Sequence, residues 1–157
     1  MSMSDYETAK SKISKYLEQA SFYGQQPDSL IFAAQERLKV KFPPTYFRFL
    51  QEYGAGGIGS FEIYGLTGKE FDTAERPDVV WYTEKVRTLL EFPEDLIPVY
   101  ELGDGEFFCL DLSKNTEEAF VVAYTPGYDY TGQSFEKLAE DFGALLLLLI
   151  EQEENRN

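Results

Sequence analysis

Residues 42–66 read FPPTYFRFLQEYGAGGIGSFEIYGL, and the order of elements within this stretch decides the architecture. Two prolines open a short helix, Pro44–Tyr53, in which Tyr46, Phe49, Leu50 and Tyr53 recur at i, i+3, i+4 and i+7 as one apolar stripe. Gly54, Gly56, Gly57 and Gly59 then stop the helix and lead into a strand expected over Ser60–Tyr64. So short a passage from helix to strand predicts a tight joint between a helical layer and a sheet. The stretch holds no reactive group, which points to a scaffold that binds and away from an enzyme.

Upstream of it, Ser4 and Glu7 have capping-box spacing, and Tyr6, Ala9, Ile13, Tyr16, Leu17 and Ala20 follow at helical intervals. Gly24 to Pro27 breaks that helix, and a second is expected from Asp28 to Lys39, burying Leu30, Ile31, Ala34 and Leu38. Downstream, residues 65–77 read as an irregular excursion. Asp78 is placed to cap a helix running to Leu90, with Val79, Tyr82, Val86 and Leu89 on its apolar face and Trp81 turned off it. Three strands follow, Leu96–Glu101, Glu106–Leu112 and Ala119–Tyr124, joined by Gly103-Asp104-Gly105 and by residues 113–118 into an antiparallel meander. Ser134 is expected to cap a last helix from Phe135 to Gln152, whose LLLLLI run must be buried on most sides or packed against another subunit. The fold class is therefore α+β: a single domain of 157 residues, with N-terminal helices and a C-terminal helix around one largely antiparallel sheet.

Composition narrows the function. Aromatic residues form 16% of the chain, too many for a disordered protein even at a net charge of −14. No apolar run approaches the ~20 residues of a membrane span, and the N-terminus lacks the basic and apolar regions of a secretory signal. The lone Cys109 is compatible with a reducing compartment. A soluble cytoplasmic location is expected. The charge is lopsided: residues 1–90 hold 12 acids and 11 bases, residues 91–157 hold 16 acids and 3 bases. That field repels nucleic acid and anionic membrane and attracts a basic protein partner.

Several chemistries drop out. With no histidine, Ser-His-Asp and Cys-His nucleophiles and HExxH metal sites are excluded. Cys109, between Phe108 and Leu110, reads as a buried inert thiol. Gly54, Gly56 and Gly59 match GxGxxG, but helix precedes strand here, the reverse of a dinucleotide site. Asp111, Ser113, Asn115 and Glu117 alternate like a calcium loop, yet Thr116 and Val122 occupy the positions that need Gly and Glu. No cofactor or metal is therefore expected. Carboxylates at Asp104, Glu106 and Asp111 leave a small acidic hydrolase as the weakest alternative. The surface is the better candidate: Tyr100, Glu101, Asp104 and Glu106 on the meander, Tyr128, Asp129 and Tyr130 after it, and Trp81 combine aromatic anchors with acids.

Three stretches also resemble the SUKH superfamily, which includes the yeast cell-wall-synthesis regulators and many bacterial immunity proteins. They are Phe42-Pro43 through Tyr53-Gly54, Ile97-Pro98 through Asp111, and Ser134-Phe135-Glu136-Lys137-Leu138, together spanning about residues 28–150. The sequence departs from the pattern at Tyr53-Gly54-Ala55-Gly56 in place of the common Asn-Gly step, and at Gln35 and Lys39, where Glu and Gly are often found. The resemblance implies a cytoplasmic immunity protein that silences a cognate toxin of a bacterial competition system, frequently a nuclease, and it transfers no catalytic residue. A nuclease presents a basic face to its phosphates, which suits an acidic inhibitor. A regulatory interaction scaffold of the same fold is the alternative, and a homodimer through the LLLLLI helix is an arrangement the sequence allows.

Overall fold

In the computed structural model, residues 2–72, 75, 77–114 and 116–156 are described. Asn115 of the calcium-loop reading and part of the 65–77 excursion fall outside them. The chain runs α1 (Ser2–Lys15), a 3-10 turn, β1 (Ala20–Phe22), α2 (Asp28–Leu38), α3 (Pro44–Glu52), β2 (Gly56–Ile58), α4 (Val79–Leu89), β3 (Leu96–Glu101), β4 (Phe107–Asp111), β5 (Val121–Tyr124), β6 (Glu136–Ala139) and α5 (Phe142–Glu154). Strands β3-β4-β5-β6 form an antiparallel meander in that order, while β1 and β2 make a separate two-stranded ribbon. This is the α+β arrangement expected, with the helices packed on the sheet.

The helix α3 stripe lies at the centre of the core: Tyr46, Phe49 and Leu50 are fully buried. Tyr46 packs edge-on against Phe42 and Phe142, and its hydroxyl donates 2.7 Å to the Tyr64 carbonyl, tying the helix to the chain beyond the glycines. Those glycines serve backbone contact. A Cβ on Gly65, whose φ is not positive, would run into the Gly54 carbonyl, and one on Gly56 (φ 118°) into the Ser21 carbonyl. The GxGxxG match is thus a packing device, as its reversed element order required.

Several boundaries differ from expectation, each for a local reason. The strand after the glycines is Gly56–Ile58, paired with Ala20–Phe22; of the expected Ser60–Tyr64, only Ile63 makes a bridge, to Gly56. Helix α1 is already running at Ser2, so Ser4 is no cap, and its carbonyl accepts from the Thr8 hydroxyl. The helix ends at Lys15, the 3.6-residue spacing lapses, and Leu17 turns out to 66% exposure. Leu89 is equally exposed because α4 overruns its support; Phe92, past the helix end, fills the core beside Val86 instead. Residues 136–139 form the fourth strand, not helix, and the true cap of α5 is Asp141, which accepts from the Ala144 amide.

Helix α5 is sheathed within the chain. Helix α1 lies along it, with Tyr6, Ala9 and Ile13 buried, and Lys12 and Tyr16 both reach Glu154. Helix α1 thus supplies much of the cover that the LLLLLI run demanded, and Leu148 stays 38% exposed.

Candidate functional site

Pairing places the expected surface residues. In the antiparallel meander, Phe107 opposes both Glu101 and Tyr124, and Ala123 opposes Glu136. The β3–β4 turn, residues 102–106, and the β5–β6 loop, residues 125–135, therefore emerge at the same end of the sheet. The sequence from 88 to 136 contains a single base, Lys114, and it lies at the other end, past β4. The two loops at this end consequently carry acids and no base.

Within this end the candidate residues take different roles. Asp104 is exposed at the turn and accepts from the Glu106 amide at 3.0 Å, stiffening the hairpin tip. Asp129 is exposed, and hydrogen bonds from the Thr131 hydroxyl and, at 2.9 Å, the Thr131 amide lower its pKa and favour its charged form. Tyr128 stands 60% exposed between them in character, an aromatic anchor open to a partner. Tyr130 is turned inward: its hydroxyl accepts from the Thr125 amide and its ring stacks on Tyr124 at 5.5 Å. Glu101 accepts from the hydroxyls of Tyr64 and Tyr82, at 3.2 and 2.7 Å, so it braces the interior behind the turn.

An aromatic series backs this surface. Ring centroids follow one another from Trp81 to Tyr82 (6.2 Å), Phe107 (6.1 Å), Phe92 (5.2 Å), Tyr124 (4.9 Å), Tyr130 (5.5 Å) and Tyr128 (4.9 Å). Trp81 thus belongs to the far start of the series, with the Lys85 ammonium 4.7 Å from its ring, and is not at the acidic tip. Tyr100 also departs from the set. It packs on Phe108, while Glu153 and Arg156 of the C-terminal segment act on its hydroxyl, whose pKa burial raises. Phe135 and Glu136, read from sequence as helix, instead join this end; Phe135 meets Tyr130 at 5.0 Å. The sole signal for them was Asp141 immediately before the apolar run, a better cap than Ser134.

The remaining C-terminal acids are not all surface charge. Glu154 and Glu140 pair with Lys12 and Lys137. Asp141 caps α5, Asp111 holds the Ser113 amide and hydroxyl, and Glu153 receives the Ser60 amide and hydroxyl. At this end Asp104, Asp129 and Glu136 face solvent and Glu106 is half-buried, while Glu91, Glu94, Asp95, Glu117 and Glu151 are exposed elsewhere on the molecule.

The catalytic alternative fares poorly on geometry. Asp111 closes the strand that Glu106 precedes, about 17 Å away at strand rise, beyond the span of a carboxylate pair flanking one bond. Cys109 is fully buried and its pKa is raised by that burial, leaving it protonated. Among the described residues no group of three or more His, Cys, Asp or Glu side chains converges to hold a metal ion, and no helix is long and apolar enough to cross a membrane.

Comparison with known proteins now fits the fold. No curated protein matches the chain in sequence. A crystal structure of a protein from Pseudomonas syringae pv. tomato superposes with a TM-score of 0.57 at 16% identity, covering 74% of this chain and 83% of that one. At that identity the likeness speaks for the fold alone. The SUKH_5 model, described as SMI1-KNR4 cell-wall, matches residues 7–147, starting ahead of the expected residue 28 and taking in most of α1. This chain belongs to the SMI1-KNR4 family of the SUKH group.

Proposed function

We propose that the protein is an immunity protein that neutralises a cognate bacterial toxin, a nuclease domain, by laying the acidic end of its sheet over the toxin's basic surface. The observation that carries this reading is the one-signed pair of loops: Asp104, Glu106, Asp129 and Glu136 lie at one end of the sheet with exposed Tyr128 and no base in either loop. Family membership supports it, because the SUKH group contains toxin-immunity proteins. Inhibition requires only occupancy. The acids draw a cationic partner in over about a Debye length, ~10 Å at 0.1 M salt, and the tyrosine supplies apolar contact once water is excluded.

Coexpression with the toxin encoded beside its gene tests the reading. Growth should be rescued, and association measured by stopped flow should slow steeply as salt is raised from low to physiological strength. Failure to rescue against any neighbouring toxin overturns the immunity role. A salt-independent rate overturns the electrostatic mechanism alone.

A further inference from the structure

We infer a second docking site at the opposite end of the sheet, for an acidic segment of a partner protein that carries apolar anchor side chains. A groove of about 730 Å³ opens there between the α2–α3 junction and the β4–β5 turn. Its apolar wall includes Phe32, 55% exposed, tilted against Phe47 at 5.6 Å. Its rim carries Lys39, Lys41 and Lys114, all exposed and none in an ion pair among the described residues. Arg48 also lines it but is already committed to Glu7 and Glu52. In a chain of net charge −14, three uncommitted ammonium groups around exposed Phe32 and half-buried Phe47 select an anionic, apolar occupant.

Backbone geometry marks the same place. Lys39 sits at φ 59°, ψ 43°, a left-handed conformation that glycine enters at no cost and lysine does not. The strain sets an ammonium on the rim where a glycine would give none. The groove's far wall is fixed too: Glu118 accepts from both the amide and hydroxyl of Thr45 at 3.0 Å, locking the β4–β5 turn onto the start of α3.

A protein segment suits the groove better than nucleic acid. Asp95 and Glu117 interrupt the lysines, which an unbroken row of phosphates would meet unfavourably but a peptide with spaced acids avoids. The chain's own acidic tip lies a full strand length away, about 17 Å, and cannot fold back into it.

Selection of short random peptides displayed on phage, against the full chain, with counter-selection on a Lys39→Glu/Lys41→Glu/Lys114→Glu variant, tests this. Enriched sequences should combine Asp or Glu with Leu, Phe or Trp. A fluorescein-labelled copy of the best peptide should lose at least about tenfold in affinity on the triple variant. Phe32→Ala, at an exposed position, should cost several-fold, and Asp104→Lys with Asp129→Lys should cost nothing. Thermal melts confirm that the variants remain folded. Four outcomes each overturn the proposal: enrichment of basic or uncharged peptides, unchanged affinity on the triple variant, tighter binding of a labelled oligouridylate, or wild-type self-association abolished by the lysine substitutions. Because the groove does not depend on the toxin reading, either result can stand while the other falls.

Discussion

The two ends of the four-stranded sheet are built on opposite plans. At the β3–β4 turn and β5–β6 loop, charge is of one sign and the polar groups stiffen their own loops: Asp104 holds the Glu106 amide and Asp129 the Thr131 amide. At the other end, charges are mixed, and the β4–β5 turn is bolted to a helix by Glu118 and Thr45. The first end offers convex tips and one exposed tyrosine; the second offers a concave groove with exposed phenylalanine. A convex anionic surface suits insertion into a partner's cationic cleft, and a concave one suits reception of a partner's segment.

The largest expected effect separates the ends by kinetics. Asp104→Lys/Glu106→Lys/Asp129→Lys should slow association with the cognate toxin on the order of a hundredfold at low salt, while the triple lysine-to-glutamate variant leaves that rate unreduced. Stopped-flow measurement of both variants checks it, and equal slowing by the two would erase the distinction.

Next comes the bolt at the groove. Pro43, the residue preceding α3, offers no side-chain cap, so the carboxylate of Glu118 does that work from another element. Glu118→Ala should cost about 1–2 kcal/mol in chemical denaturation. Hydrogen exchange should quicken around Thr45 and residues 112–120, with the Tyr124–Phe135 end still protected. Uniform quickening would mean that the ends are not independent.

A third prediction concerns the helix behind the acidic end. Burial lifts the Asp78 carboxyl from 3.8 to about 6, against the Trp81 amide bond that favours its charge. One of its oxygens, Oδ2, is buried without a hydrogen-bond partner among the described residues. A folded pKa above the unfolded one means that the native state holds the proton more tightly. This group's contribution is therefore present below pH 3.8 and is lost as pH rises through about 6. Asp78→Asn keeps an acceptor for Trp81 and should gain about 1 kcal/mol over wild type at pH 7, the gain vanishing toward pH 4. Melts across that range read it; a pH-independent difference would place the cause elsewhere.

The smallest effect sharpens the comparison from the groove side. Lys39→Gly relieves the left-handed strain and should stabilise the fold by about 0.5 kcal/mol while weakening acidic-peptide binding. Gain in both properties would show that the lysine has no role there.

How far the sequence could be read follows the same division. Helix α3, the cap at Asp78 and strands β3 to β5 were legible because periodicity, caps and turn glycines agree locally. Strand β6 was not, because Glu136–Ala139 has helix-forming composition and is held as a strand only by pairing with β5. The acidic end was legible in outline, since it rests on residues near in sequence. Its internal sorting was not: nothing local says that Tyr130 faces inward, that Glu101 serves two tyrosine hydroxyls, or that Tyr100 takes the other face. The groove escaped altogether. Phe32, Lys39 and Lys114 come from distant segments, and what joins them is the long-range bond between Glu118 and Thr45.

The pairing of α1 with α5 has a consequence for how this chain comes into being. Lys12 meets Glu154 across 142 positions, so α1 waits for α5 to be synthesised before the side of it that faces α5 is covered. Until then α1 has only its contacts with α3, where Tyr6 meets Glu52 and Arg48, and closing so wide a loop is an entropic cost met only when α5 docks. The nascent chain is thus open to capture by chaperones or by other unfinished chains in the interval between the synthesis of α1 and that of α5.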